Sequence, residues 1–252
     1  MTGGRSARIQ VLVAEQAARR GERITVMDVC TAAVATLPID GAGVSAMSKA
    51  SAGHPLYATD LVSERVEELQ LTLGEGPGVD AFALGPAVLA PDLRAHGERL
   101  RWRVFDVESV TAGAVAAFAF PLRIGAISPG VLDLYSDVPV GLDAGELADA
   151  MVFADTATLV LLGARTAPAG GPLEELGGYR AEIDQATGML TVQLGGGIEE
   201  AFIRPRAYAY AHGRRLARWQ PTWWPAGCGS RRIRTWIGAP RRCLTTEGGP
   251  DE

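Results

Sequence analysis

The sequence predicts an α+β protein, in which an antiparallel sheet flanked by helices is followed by a small helical domain with an incomplete third helix. Three observations carry this. Apolar runs of strand character come in two pairs, each joined by a glycine-bearing connection. Helical stretches stand before, between and after those pairs, which is not the strict alternation of a doubly wound sheet. Beyond residue 178 the hydrophobic period becomes that of a helix. Residues 1–23 read as an N-terminal helical segment and 24–165 as the sheet domain. Residues 166–178 form a Pro/Gly-rich linker, 179–217 a partial helical module, and 218–252 an irregular tail rich in arginine and tryptophan.

Taken in order, residues 6–37 are helical. Ile9, Leu12, Val13 and Ala17 keep one face apolar, and a second run follows Gly21. PIDGAGVSAMS then turns to strand, and HPLYATD is its hairpin partner after a turn around Gly53. A helix from Leu61 to about Leu71 leads into the glycine-rich turn GEGPG and a short helix. PAVLAPDL is a short strand, and a polar helical stretch carries Trp102 and Phe105. Two apolar runs, 114–123 and 130–135, give the clearest strand signal, around a connection holding Gly125 and Pro129. The next segment is a helix of three or four turns with Leu147, Met151, Ala154 and Thr158 on one face and acidic residues at its start.

Past the linker, Ile183, Ala186, Leu190 and Leu194 recur at helical spacing until Gly195–Gly197 stop the run. A second helix begins with Glu199 and Glu200 at its positive end and carries Ile198, Ala201, Phe202 and Ala209 as its stripe. Two short amphipathic helices cannot bury both stripes alone. They need a third helix or a partner chain.

With 252 residues, 47% hydrophobic and 21% charged, the composition is that of a globular protein. No stretch approaches the ~20 apolar residues of a membrane span, and the first residues lack the apolar core of a signal peptide. Cys30, Cys228 and Cys243 are too scattered for a disulfide framework or a zinc site, which suits a cytoplasmic protein with reduced thiols. Net charge is −5, yet no Asp or Glu stands between Glu200 and Glu247 while arginines crowd that stretch. A basic end on an acidic body fits nucleic-acid binding. An out-of-frame reading of GC-rich DNA produces the same pattern.

Chemistry-bearing motifs are sparse. GEGPG lacks the Gly-Lys-Ser/Thr ending of a phosphate loop and reads as a structural turn. His54, His96 and His212 lie far apart, none at metal-ligand spacing. Ser45, Ser63, Ser109 and Ser136 have no nucleophile context, and Glu67 and Glu68 read as a solvated helix face. The expectation is a non-enzyme with no catalytic residue, no metal and no cofactor.

Residues 180–217 resemble the ANTAR domain, a helical RNA-binding module of bacterial transcription antiterminators. The resemblance rests on AEIDQATGMLTVQLG and IEEAFIRPRAYAYAHGRRLA. Residues 24–164 resemble a GAF domain of the kind joined to ANTAR in actinobacterial proteins, through LTLGEGPGVDAF and FAFPLRIGAISPGVLDLYSD. The resemblance implies a signal-responsive regulator whose GAF-like sensor controls binding of a stem-loop in nascent RNA. Ala186, Gly188, Arg206, Arg214 and Arg215 would form the RNA site, with Arg206 foremost. It also implies an unidentified small-molecule ligand for the sensor, and a homodimer through residues 6–37 and 146–162. The family's glycine-rich segment often carries Cys where Gly78 stands here, which leaves a thiol-based sensor without its candidate.

Two departures from the family pattern stand out. Pro205 replaces a customary Leu inside the second helix, where proline costs ~3 kcal/mol or more. Where a third helix should follow Leu216, WQPTWWPAGCG stands instead. Read from one base earlier, its codons permit Met-Ala-Ala-Asp-Val-Val-Ala-Arg-Arg-Leu-Arg, a helical sequence. The expectation is a frame slip at or shortly before Arg218. The alternative function is then a ligand-binding or dimerising sensor whose RNA-binding output is lost.

Overall fold

The computed structural model describes residues 2–48 and 51–165, together with Ile203, Arg206, Ala207, Tyr210 and Ala211. The two opening helices are α1 (Thr2–Arg20) and α2 (Val26–Thr36), separated at Gly21, whose φ of 71° breaks the first. Asp28 fixes the start of α2 by accepting the Thr25 backbone N–H at 2.8 Å, and the Arg20 guanidinium donates to the same carboxylate at 2.7 Å. Burial works to raise the Asp28 pKa. The Arg20 and Thr25 hydrogen bonds outweigh it and hold the group below its ordinary value.

Strands β1 (Gly41–Ser48) and β2 (Ser51–Ala58) pair antiparallel. The turn expected around Gly53 is corrected here, because Gly53 lies inside β2. Next come α3 (Leu61–Leu73), α4 (Pro77–Leu84) and β3 (Val88–Ala90). The single polar helix expected before residue 111 is two, α5 (His96–Arg101) and α6 (Phe105–Ala112). The break falls at Trp102, whose indole N–H donates to Asp80 on α4 at 3.0 Å. Strands β4 (Ala116–Ile124) and β5 (Ile127–Ser136) follow, with Pro129 inside β5 instead of in the connection. The Gly125 φ of 59° is what permits so short a turn.

The sheet order is β2-β1-β5-β4-β3, every neighbouring pair antiparallel. The last strand therefore lies at the centre, and the excursion between the two hairpins covers one face. On that face α3, α4 and α6 pack over Val66, Leu69, Ala81, Phe105, Ala117, Ala119 and Val131. On the other, α1, α2 and α7 (Ala144–Arg165) cover Ala42, Val44, Phe118, Phe120, Leu132 and Leu134. Helix α7 is longer than expected, and its buried face is Ala150, Phe153, Ala154, Ala157 and Leu161. Met151, placed on that face by the sequence pattern, is 54% exposed. The linker 166–178, Pro205 and the tail 218–252 lie outside the described residues.

Candidate functional site

The two-residue period of the strands divides their side chains between the two cores. On the α3 side the central strands carry unusually little volume. Asp133 of β5 stands between Gly43 of β1 and Ala119 of β4, and Tyr135 between Gly41 and Ala117. Ser45 is the next β1 residue on that face. Side chains descending from α3 fill the space.

Helix α3 is set in phase by its ends. Asp60 accepts the backbone N–H groups of Val62 and Ser63 at 2.8 and 2.9 Å, and also the Tyr135 hydroxyl at 2.8 Å. Gly74, with φ 69°, closes the other end, its N–H donating to the Gln70 carbonyl at 2.9 Å. With the helix so anchored, Ser63, Val66, Glu67 and Gln70 form one stripe toward the sheet. This corrects the solvated reading of Glu67 and Glu68. Both are only 2% exposed.

Glu67 sits over Gly43, where a β carbon would collide with its carboxylate. Its Oε2 accepts the Ser45 hydroxyl, and its Oε1 is buried with no hydrogen-bond donor. Asp133, 7% exposed, lies beside it and takes a hydrogen bond from Gln70. The Gln70 side-chain carbonyl in turn accepts the Gly78 backbone N–H at 2.6 Å. A β carbon on Gly78 would come 2.8 Å from both Asp133 carboxylate oxygens and 2.9 Å from the Gln70 oxygen. The turn GEGPG thus packs its glycines against the polar cluster. Gly76, with φ 133°, takes a conformation that only glycine adopts freely.

Two acids so close and so buried cannot both ionise at low cost. Burial pushes Glu67 well above the carboxylate range, and the Asp133 charge adds to this. Burial likewise raises Asp133 to about 7, with hydrogen bonds from Glu67 and Gln70 acting against it. The pair holds a shared proton near neutrality and titrates as a unit. From α2, the Cys30 thiol is pushed up by burial and then by the Glu67 and Asp133 charges, so it is an inert thiol. Its neighbours discourage a thiolate.

The remaining residues singled out by the sequence are dispersed. His54 is buried on β2 and His96 is exposed, while His212 lies outside the described residues. Among the described residues no three His, Cys, Asp or Glu side chains gather as a metal ion would require. Among them, too, no helix is long and apolar enough to cross a membrane. Ala186, Gly188, Arg214 and Arg215 lie outside the described residues. Arg206 is described: its Nε donates to the Thr72 carbonyl of α3 at 3.1 Å. Burial lowers its pKa.

The chain is similar to the GAF domain of phosphoenolpyruvate-protein phosphotransferase from Acinetobacter, 12% identical over 66% of this chain and 95% of that one, with a TM-score of 0.48. It is similar to the GAF domain of the Coxiella burnetii phosphoenolpyruvate-protein phosphotransferase, at 13% identity over 64% and 96% with a TM-score of 0.46. It is also similar to free methionine-R-sulfoxide reductase from Neisseria meningitidis, solved in complex with its substrate, at 12% identity over 65% and 93% with a TM-score of 0.43. No protein-family model matches the chain, and no curated protein matches it.

Proposed function

We propose that the chain is a signal-responsive regulator, in which a GAF-like sensor controls an ANTAR-like module that binds a stem-loop in nascent RNA and promotes antitermination. The observation that carries the sensor half is the polar cluster of Ser45, Glu67, Gln70 and Asp133, buried against a sheet face where Gly41, Gly43, Ala117 and Ala119 leave room for it. A buried acid pair adds little to stability compared with apolar packing of equal volume, and strongly perturbed carboxyls concentrate at functional sites. The output half rests on the sequence resemblance of residues 180–217 and on the arginines Arg206, Arg214 and Arg215. Glu67 and Asp133 respond to what reaches them by changing their shared proton, and α3 carries that change to its C-terminal end.

The test is binding of the full chain to a stem-loop RNA across a salt series. Affinity that falls steeply with salt supports the regulator. No RNA affinity, together with thermal stabilisation by a small molecule, supports the second reading, a sensor whose output is lost through the shifted tail. That reading is favoured by WQPTWWPAGCG standing where a third helix belongs. Sequencing of the genomic DNA across codons 216–236 decides whether the shifted frame belongs to the gene. The homodimer is part of this proposal, since α1 and α7 pack together and expose Val11, Met151 and Leu159.

A further inference from the structure

We infer that the C-terminal end of α3 is a docking site for the guanidinium of Arg206, which holds that arginine on the sensor and away from nucleic acid. The docking stands on geometry alone; only its consequence for RNA rests on the function proposed above. The last carbonyls of a helix have no intrahelical partner and carry partial negative charge. Helix α3 has no basic residue in its own last turn. Its final turns instead contain the buried Glu68, whose Oε1 accepts the Thr72 hydroxyl at 3.3 Å. That end therefore lacks a cation, and Arg206 supplies one from a distant part of the chain, its Nε donating to the Thr72 carbonyl at 3.1 Å.

Gly74 makes the approach feasible. A β carbon there would collide with the Arg206 guanidinium, so glycine serves both the left-handed helix end and the seat of the arginine. Arg206 keeps its charge when partly buried. With Nε donating to the Thr72 carbonyl and the rest of the guanidinium seated against Gly74, fewer of its N–H groups are left for an RNA phosphate, so whatever holds it on α3 is subtracted from its contribution to RNA binding. Glu67 and Gln70 lie on the same helix within two turns of Thr72. A change in their protonation or contacts alters the end to which Arg206 is bound.

The experiment uses the full chain and the substitution Gly74→Asn. Asn tolerates the left-handed conformation, and its side chain occupies the seat of the guanidinium. Arginines are modified with phenylglyoxal and mapped by mass spectrometry, with the exposed Arg103 as internal reference. In the wild type, Arg206 is expected to react about tenfold more slowly than Arg103, the effect of one charge-assisted hydrogen bond. In Gly74→Asn the two should react alike. Equal rates in the wild type overturn the docking. So does an Arg206 that stays slow in a folded Gly74→Asn protein, with circular dichroism reporting the fold. Stem-loop RNA is then titrated against both proteins. Tighter binding by Gly74→Asn supports the withholding of Arg206, and equal measurable affinity overturns it. A chain that protects Arg206 yet binds no RNA in either form retains the docking and loses the antiterminator reading.

Discussion

Toward α1, α2 and α7 the central strands present Phe118, Phe120, Leu132 and Leu134, while toward α3, α4 and α6 the same strands present Ala117, Ala119, Val131 and Asp133. Across one backbone thickness the strands change from large apolar side chains to mostly small ones, Tyr135 excepted, with polar groups laid between them. The first face gains stability from apolar area removed from water. The second gives up some of that gain to keep two carboxyls, a serine hydroxyl and an amide in one buried place. Apolar packing and buried polar chemistry are thus divided between the faces of a single sheet.

The largest effect should come from the apolar face. Phe153→Ala and Phe120→Ala, each removing a fully buried ring, are expected to cost about 3–5 kcal/mol in urea unfolding. A cost below about 1 kcal/mol at both positions would erase the distinction between the faces.

The next sharpens the contrast through pH. Glu67 and Asp133 titrate within the ordinary carboxylate range when unfolded and above it when folded, so the folded state holds extra protons across the interval. Their contribution is complete below the unfolded pKa of ~4. It is lost as pH rises through about 7 for Asp133, and higher for the proton that the pair retains. Asp28 and Asp60, whose pKa values are lowered in the folded state, act oppositely and lose their contribution as pH falls through the acid range. Asp133→Asn should flatten the decline between roughly pH 4 and 7. Wild-type urea midpoints that already stay level across that range would remove the shared proton. Ser45→Ala, which deprives Glu67 of its donor, should cost about 1–3 kcal/mol, and more at pH 8 than at pH 5, because the ionised carboxylate depends on that donor most.

How far these faces are legible in the sequence differs in the same way. The strands β4 and β5, the helix break at Gly21 and the turn at Gly74–Gly78 follow from local residue chemistry, and the structure has each of them. Helical periodicity scored by apolar residues alone misses Glu67. The stripe Ser63–Val66–Glu67–Gln70 has one apolar member, and its phase is fixed by the Asp60 cap. One signal does exist: Gly41, Gly43 and Ser45 alternate along β1, announcing a face with room for someone else's side chains. Their meeting with Asp133 cannot be read locally, because β1 and β5 pair across almost ninety intervening residues. Met151 is misplaced for the opposite reason. Helix α7 is apolar around most of its circumference, so periodicity alone cannot choose its buried side.

That exposed side of α7 supports the smallest prediction. Met151→Glu and Leu159→Glu remove apolar side chains that are 54% and 56% exposed and touch no polar cluster, so in an isolated chain each should change stability by no more than about 0.5 kcal/mol. A charge in the centre of an apolar interface is expensive where it is innocuous in water. The same two substitutions therefore test the association proposed through α1 and α7 without disturbing the fold. Light scattering should find a dimer in the wild type and a monomer in the double variant, at unchanged circular dichroism. A wild type that is already monomeric ends the dimer. A dimer that survives both charges moves its interface off α7 and leaves Val11 of α1 as the next residue to change.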